Sequence, residues 1–279
     1  MNSQKISIIS LLILINATTY GSEPLIVAHR GASQNAPENT IPAFNLAWKQ
    51  GADAIEGDFH LTKDGHIVCI HDINTNKVSD KNLVIKDSLL ADLQKLDVGR
   101  HKGKKFTGTN IPTISEVFTT IPIRKKIYIE IKSDESIVPA LVEEIEESGL
   151  EIEQVTIISF NEEAIHAFKS AAPQYQAFWL SSFKKDESGS ISPSTDTILQ
   201  TLSRIKADGF SSNKNLINKA IIDTIIEKGY EYHVWTVDKP RIAKRFKSWG
   251  GEIHHHKYSW HHKKETNRSQ QTAINAIPS

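Results

Sequence analysis

A single cysteine, Cys69, stands in a chain of 279 residues, which excludes an internal disulfide framework and any multi-cysteine metal site. Net charge is lacking too, with 33 Lys and Arg against 33 Asp and Glu. A neutral chain does not offer the cationic surface that binds nucleic acid, and no basic amphipathic helix points to a membrane surface. The absence of G-x-G-x-x-G and P-loop motifs argues against an open nucleotide-binding sheet. No repeat recurs at a period of about 20 to 50 residues, and no low-complexity linker divides the chain. What remains is a globular composition, 39% hydrophobic and 24% charged, with apolar material enough for a large core.

The one long charge-free apolar run lies at the start. Ile6 to Ile15 follows the lone cation Lys5 and precedes small residues up to Gly21 and Ser22, in the order of a secretory signal. It is too short for a stable bilayer-spanning helix, which takes about 20 residues. Residues 1–21 are therefore expected to be a signal peptide of an exported protein, periplasmic or secreted, with no stable membrane insertion after cleavage. An uncleaved anchor or a buried N-terminal strand is the alternative reading.

From there the chain alternates between two periodicities. Strands are expected at 25–28, 54–61, 67–70, 127–131, 155–159, 177–180, 207–210 and 231–236. Helices are expected after the cap pair Asn39-Thr40 and at 135–148, 162–171, 218–228 and 239–249. Such alternation implies βαβ units and a parallel sheet, and seven or eight units make an α/β fold of the TIM type, a (β/α)8 barrel over residues 24–250. The lysine-rich, polar stretch 74–110 is too long for an ordinary loop and is expected to be a small inserted subdomain, with Leu90, Leu93 and Leu96 as its helical stripe.

Charge falls where a buried strand should have none. In AIEGDFHL the period of two puts Glu56, Asp58 and His60 on one face and Ile55, Gly57, Phe59 and Leu61 on the other. Along Ile127 to Lys132 the same alternation turns Tyr128, Glu130 and Lys132 inward. Three carboxylates aimed at one barrel mouth repel one another unless a cation lies among them, so they suit one hard divalent ion, Mg²⁺ or Ca²⁺. A buried ion network with Arg30 or Lys132 is the competing reading. His29 and His71 each end a short apolar run, where barrel side chains face the mouth, and suit opposite general acid and base roles. Arg30 presents a planar fork for phosphate oxygens.

Taken together, Ala28 to Asp72 resembles the N-terminal signature of the glycerophosphodiester phosphodiesterases. HRG, PENT with a following AF, GAD-IE-D, TKDG and HD occur in that family's order. LDVG at 96–99, IPT-SEV at 111–117, IEIK at 129–132, SF at 159–160 and VWTVD at 234–238 continue it. The resemblance implies Glu56, Asp58 and Glu130 as metal ligands and His29 and His71 as the acid/base pair. It implies Arg30, Lys132 and Trp235 for the substrate and its phosphate, and an insertion between the second strand and its helix. The substrate would be a small glycerophosphodiester, split into glycerol 3-phosphate and an alcohol such as choline or ethanolamine. A lipid-acting phosphodiesterase of phospholipase D type and a catalytically impaired relic are the alternatives.

The C-terminus departs from the pattern. Where the resemblance implies an apolar eighth strand closing in Thr-Asp or Thr-Asn, the chain reads GEIHHHKYSWHHKK. The eighth strand is thus expected to be missing or altered. Back-translating Glu252 to His262 and moving one nucleotide forward permits K-S-I-T-T-N-I-P-G-I, so residues 251–279 are expected to be read out of frame. The histidines there lack the spacing or strand context of a metal site.

Overall fold

Strand Ala54–Leu61 forms over the full expected range because its two faces bury against different things. Ile55 and Phe59 join the core shared with the outer helices, while Ala54 joins a second cluster lining the inside of the curled sheet with Val27, Tyr128, Ile158, Phe178 and Leu180. The computed structural model describes residues 25–237 and 239–253. The expected signal segment and everything from His254 onward lie outside the described residues.

In chain order the elements are β1 (Val27–His29), α1 (Ile41–Lys49), β2 (Ala54–Leu61), β3 (Ile67–Cys69), α2 (Leu90–Leu93), α3 (Ile114–Phe118), β4 (Lys126–Ile131) and α4 (Val138–Glu147). They continue with β5 (Val155–Ser159), α5 (Glu162–Ala171), β6 (Gln176–Ser181), the two-residue strands β7 (Lys184–Lys185) and β8 (Ile191–Ser192), and α6 (Thr195–Ile205). Then follow β9 (Gly209–Asn213), α7 (Lys219–Glu227), β10 (Glu231–Trp235), α8 (Pro240–Ser248) and β11 (Glu252–Ile253). Adjacent strands in the order β1-β2-β4-β5-β6-β9-β10-β11 pair in parallel, the α/β arrangement expected of a TIM-type barrel. Among the described residues no helix is long and apolar enough to cross a membrane.

Two aspartates tie the floor of this sheet. The Asp53 backbone N–H donates to the Ile26 carbonyl at 2.8 Å, its carboxylate accepts the Ile26 N–H at 3.1 Å, and its carbonyl accepts the Lys126 N–H at 3.2 Å. Asp208 repeats this: its N–H donates to the Ala177 carbonyl at 2.9 Å, its carboxylate accepts the Ala177 N–H at 2.7 Å, and its carbonyl accepts the Glu231 N–H at 3.1 Å. A lysine backs each carboxylate, Lys125 at 3.2 Å from Asp53 and the buried Lys169 at 2.9 Å from Asp208.

Three features differ from expectation. Strand β3 is not a barrel strand: it pairs antiparallel with β2 as a hairpin, Phe59 opposite Cys69 and Leu61 opposite Ile67. His71 reaches the mouth because this hairpin doubles back, not because it ends a parallel strand; the Ile70 N–H donates to the Asp58 carbonyl at 2.9 Å. Helix α6 was not expected, although Ser194 caps it and Ile198, Leu202 and Ile205 bury one stripe. Finally, Glu252 and Ile253 do begin an eighth strand, in register with His233 and Val234. The rest of the expected alteration falls on residues outside those described, and among the described residues no ladder joins β11 to β1.

Between β3 and α3 the chain closes a small core of its own. Leu93 and Leu96 pack with Val68, Ile70, Ile85 and Val98, while Leu90 is only partly buried. Asp64, in the turn between β2 and β3, accepts the Leu90 N–H at 3.1 Å and so holds the start of α2. Two short 3-10 turns, Arg100–Lys102 and Lys104–Phe106, follow.

Candidate active site

Parallel register brings the charged residues into two rows. His29 lies opposite Glu56 across β1 and β2, and Asp58 lies opposite Glu130 across β2 and β4. All three carboxylates are buried, and each offers an oxygen within 4.8 Å of the others. Burial first, then the charges of Asp58 and Glu130, hold the Glu56 carboxyl well above its usual range. Burial and the charge of Asp58 likewise push Glu130 up to about 7.

Two cations enter this cluster. Arg30 Nε pairs with Asp58 Oδ2 at 3.2 Å, and its terminal nitrogen meets Glu38 Oε1 at 3.0 Å. Lys132 Nζ lies 2.9 Å from Glu130 Oε1 and 3.7 Å from Asp58 Oδ1. Burial opposes both charges, yet the surrounding carboxylates outweigh it and raise both pKa values. Three carboxylates against two cations leave the cluster short of positive charge. Asp58 Oδ1 is buried with no hydrogen-bond donor, and Lys132 is too far to supply one. Carboxylate oxygens in a charge-deficient, buried cluster fit a hard divalent ion.

The backbone is bent to serve this geometry. Arg30 adopts a left-handed conformation (φ 55°), and its N–H donates to Glu56 Oε2 at 2.8 Å. At Gly31, where φ is 73°, a Cβ would sit 2.7 Å from the Ala43 backbone, so the loop needs glycine to pass the helix α1. His29 Nε2 is 4.0 Å from Glu56 Oε2. His71 Nδ1 is 2.5 Å from Asp72 Oδ1, and this bond holds the Asp72 carboxyl below its usual range. His60, whose pKa burial lowers, meets the His71 carbonyl oxygen at 3.2 Å.

The expected residues are therefore not all equally close. His29, Arg30, Glu56, Asp58, Glu130 and Lys132 form one contact network, and His71 lines a small pocket beside it with Glu38, Asn39, Cys69 and Asp72. Trp235 stands elsewhere in the mouth, over the inner apolar cluster, with its ring edge-on to the half-exposed Phe160 at 5.7 Å. Glu38, Asn39, Asp72 and Phe160 were named in motifs or as a cap but not assigned to the site from the sequence. The first two lie inside the PENT motif, where a polar pair just ahead of a helix was the available signal.

Residues 29–252 match the glycerophosphoryl diester phosphodiesterase family model. The chain belongs to this family. A putative glycerophosphodiester phosphodiesterase of Bacillus subtilis is 34% identical over 238 residues, covering 81% of this chain and 90% of that protein. A glycerophosphodiester phosphodiesterase of Caldanaerobacter subterraneus is 44% identical over 154 residues, covering 53% of this chain; the chain spans only 63% of that relative's length. Among solved structures, an Oleispira antarctica phosphodiesterase, determined with the product sn-glycerol-3-phosphate, superposes with a TM-score of 0.75 at 24% identity, covering 91% of this chain and 98% of that one. That likeness shows the barrel fold of the family.

Proposed function

We propose that this chain hydrolyses small glycerophosphodiesters to glycerol 3-phosphate and an alcohol, with one divalent cation, Mg²⁺ or Ca²⁺, held by Glu56, Asp58 and Glu130. The observation that carries the reading is the buried carboxylate triad, whose oxygens converge within 4.8 Å of one another, with Arg30 and Lys132 set against its charge. When bound, the ion would polarise a phosphodiester oxygen and the neighbouring glycerol hydroxyl.

The chain's own residues supply the rest. Arg30, gripped by Glu38 and Asp58, and Lys132, gripped by Glu130, present preset positive charge to phosphate oxygens. His29 and His71 serve as the acid/base pair: one takes the proton of the glycerol hydroxyl as its oxygen bonds to phosphorus, and the other protonates the alcohol whose P–O bond breaks. A water then opens the resulting cyclic phosphodiester, with the two roles reversed, to give glycerol 3-phosphate. Asp72 fixes the His71 ring through Nδ1 and leaves Nε2 to face the substrate. Trp235, with Phe160, forms an apolar wall for the non-phosphate part of the substrate. The product in the Oleispira structure supports glycerol 3-phosphate as the common product.

Incubating the full chain with glycerophosphocholine, with and without chelator, tests this. Glycerol 3-phosphate should be released, release should stop in chelator, and Mg²⁺ or Ca²⁺ should restore it. No release at all would remove the hydrolase reading, and undiminished release in chelator would remove the cation. Placement outside the cytoplasm belongs to the same proposal and rests on residues 1–21; recovery of the protein from the cytoplasmic fraction with its N-terminus still at Met1 would overturn it.

A further inference from the structure

His60 has no part in the chemistry described above, yet it is buried on the face of β2 that carries Glu56 and Asp58. Its Nε2 lies 3.2 Å from the His71 carbonyl oxygen. A carbonyl oxygen only accepts, so Nε2 carries the hydrogen and donates it. The neutral Nε2–H tautomer and the imidazolium both meet that requirement, so the bond stands whatever charge the ring carries.

The bond holds the segment on which His71 depends. Asp72 fixes the His71 ring at Nδ1, but it is the next residue in the chain and moves with the same loop. Orientation within the loop comes from Asp72, whereas placement against the carboxylate cluster has to come from β2. Two bonds supply it: the Ile70 N–H donates to the Asp58 carbonyl at 2.9 Å, and His60 reaches one residue further, to His71. Past Asp72 the backbone pairs with the inserted segment instead, Ile73 accepting from the Ile85 N–H at 3.0 Å and Thr75 donating to the Leu83 carbonyl at 3.0 Å. The Ile73 side chain is 67% exposed, so little apolar burial secures the loop there. Strand β2 thus carries two of the expected cation ligands and the last tie to one of the two histidines. An acid or base must reach its proton at hydrogen-bond distance, and an error of about 1 Å in such a placement costs about 10²-fold in rate.

We infer that His60 is a positioning residue for His71, a strut from β2 that sets the distance between that imidazole and the carboxylate cluster by holding the His71 backbone. The inference rests on the hydrolase reading above and adds to it a residue that acts through another.

The test uses the full chain and three variants. His60→Gln keeps an N–H donor at the reach of Nε2, His60→Asn stops one methylene short of it, and His60→Leu removes the donor. With glycerophosphocholine and saturating Mg²⁺, the Asn and Leu substitutions should lower kcat by about 30-fold, with KM and the half-saturating Mg²⁺ concentration unchanged, and His60→Gln should stay within about threefold of the native rate. In a His71→Ala background the same substitutions should cost nothing further, because a strut is idle once the group it places is gone. A general defect in the fold would add to the His71→Ala loss instead. Such additivity, or a full loss in His60→Gln, would overturn the inference; His60→Asn decides the matter if His60→Leu does not fold. Hydrogen exchange in chelator, without substrate, reads the strut apart from the reaction. Amides of residues 71–74 should exchange about tenfold faster in His60→Asn than in the native chain, and at the native rate in His60→Gln. Equal rates in the native chain and His60→Asn would refute the strut whatever the activity. Faster exchange alongside a native chain that releases no glycerol 3-phosphate would uphold the strut and remove the hydrolase reading alone.

Discussion

Asn39 and Asp58 are joined twice: Asn39 Nδ2 donates to Asp58 Oδ2 at 2.8 Å, and the Asp58 backbone N–H donates to Asn39 Oδ1 at 3.2 Å. Asn39 does this from a left-handed backbone (φ 58°), a conformation that asparagine tolerates better than most residues. It therefore fixes the carboxylate at the centre of the cluster. Asn39→Gly keeps the backbone but removes the amide, and should weaken cation binding by about 10- to 100-fold, with activity partly regained at high cation. A titration of rate against Mg²⁺ and Ca²⁺ checks this; an unshifted curve would show Asp58 to be held well enough without Asn39.

Glu56→Gln preserves shape and removes one negative ligand. Cation affinity and turnover should fall together, and saturating cation should recover part of the rate. A variant with native cation affinity would take Glu56 out of the ligand set.

If His29 and His71 act as opposite partners, rate against pH is bell-shaped. Replacing either by Ala should cost on the order of 10² to 10⁴ in rate while cation binding stays nearly intact. Loss of the cation in His29→Ala, whose ring is 4.0 Å from Glu56, would make that imidazole a ligand instead.

Burial and Asp58 raise the Glu130 carboxyl from an ordinary 4.5 to about 7 in the cation-free protein. An acid whose folded pKa is raised stabilises the fold fully below its unfolded pKa and loses that contribution as pH rises to its folded value. The chelated protein should therefore lose melting temperature between about pH 4.5 and about pH 7, a loss that bound cation cancels. His60 works in the opposite sense, because its lowered pKa favours the fold above its ordinary range and penalises it as pH falls. The cation-minus-chelator difference in melting temperature isolates the carboxylates, and it should grow with pH across that window. A difference independent of pH would sink the assignment.

At the C-terminal end of the described residues, β11 begins at Glu252 and Ile253. If residues 251–279 are read out of frame, a version carrying K-S-I-T-T-N-I-P-G-I in place of residues 252–261 should melt higher, aggregate less and hydrolyse faster, because an apolar eighth strand covers the sheet edge. Equal melting temperatures and equal rates would show the native tail to be a legitimate part of the fold.

Much of this molecule was legible in its sequence, and the reasons differ from element to element. Strand β2 was readable end to end because alternation, not propensity, places Glu56 and Asp58 between Ile55 and Phe59. Helix α5 matched its expected bounds because Asn161 caps it and a buried stripe of Ile165 and Phe168 runs through it. The orientation of β3 was not readable: three apolar residues look alike in a parallel strand and in a hairpin, and only the pairing of Cys69 with Phe59 decides. Asn39 was read as part of a helix cap for a related reason, since a cap position and a carboxylate anchor call for the same residue type; in the fold Thr40 is the cap and Asn39 reaches Asp58.

The two aspartate ties on the floor sit four strands apart in the eight-strand order, Asp53 ahead of β2 and Asp208 ahead of β9. The same set of hydrogen bonds thus recurs on the floor, which gives the base of the sheet a repeat. The mouth does not share it. His29, Arg30, Glu56, Asp58, Glu130 and Lys132 all come from or directly follow β1, β2 and β4, whereas Trp235 ends β10 and packs on the inner apolar cluster. Reactive groups thus crowd one end of the strand order, which leaves the later strands at liberty to change what they present to a leaving group without disturbing a single carboxylate.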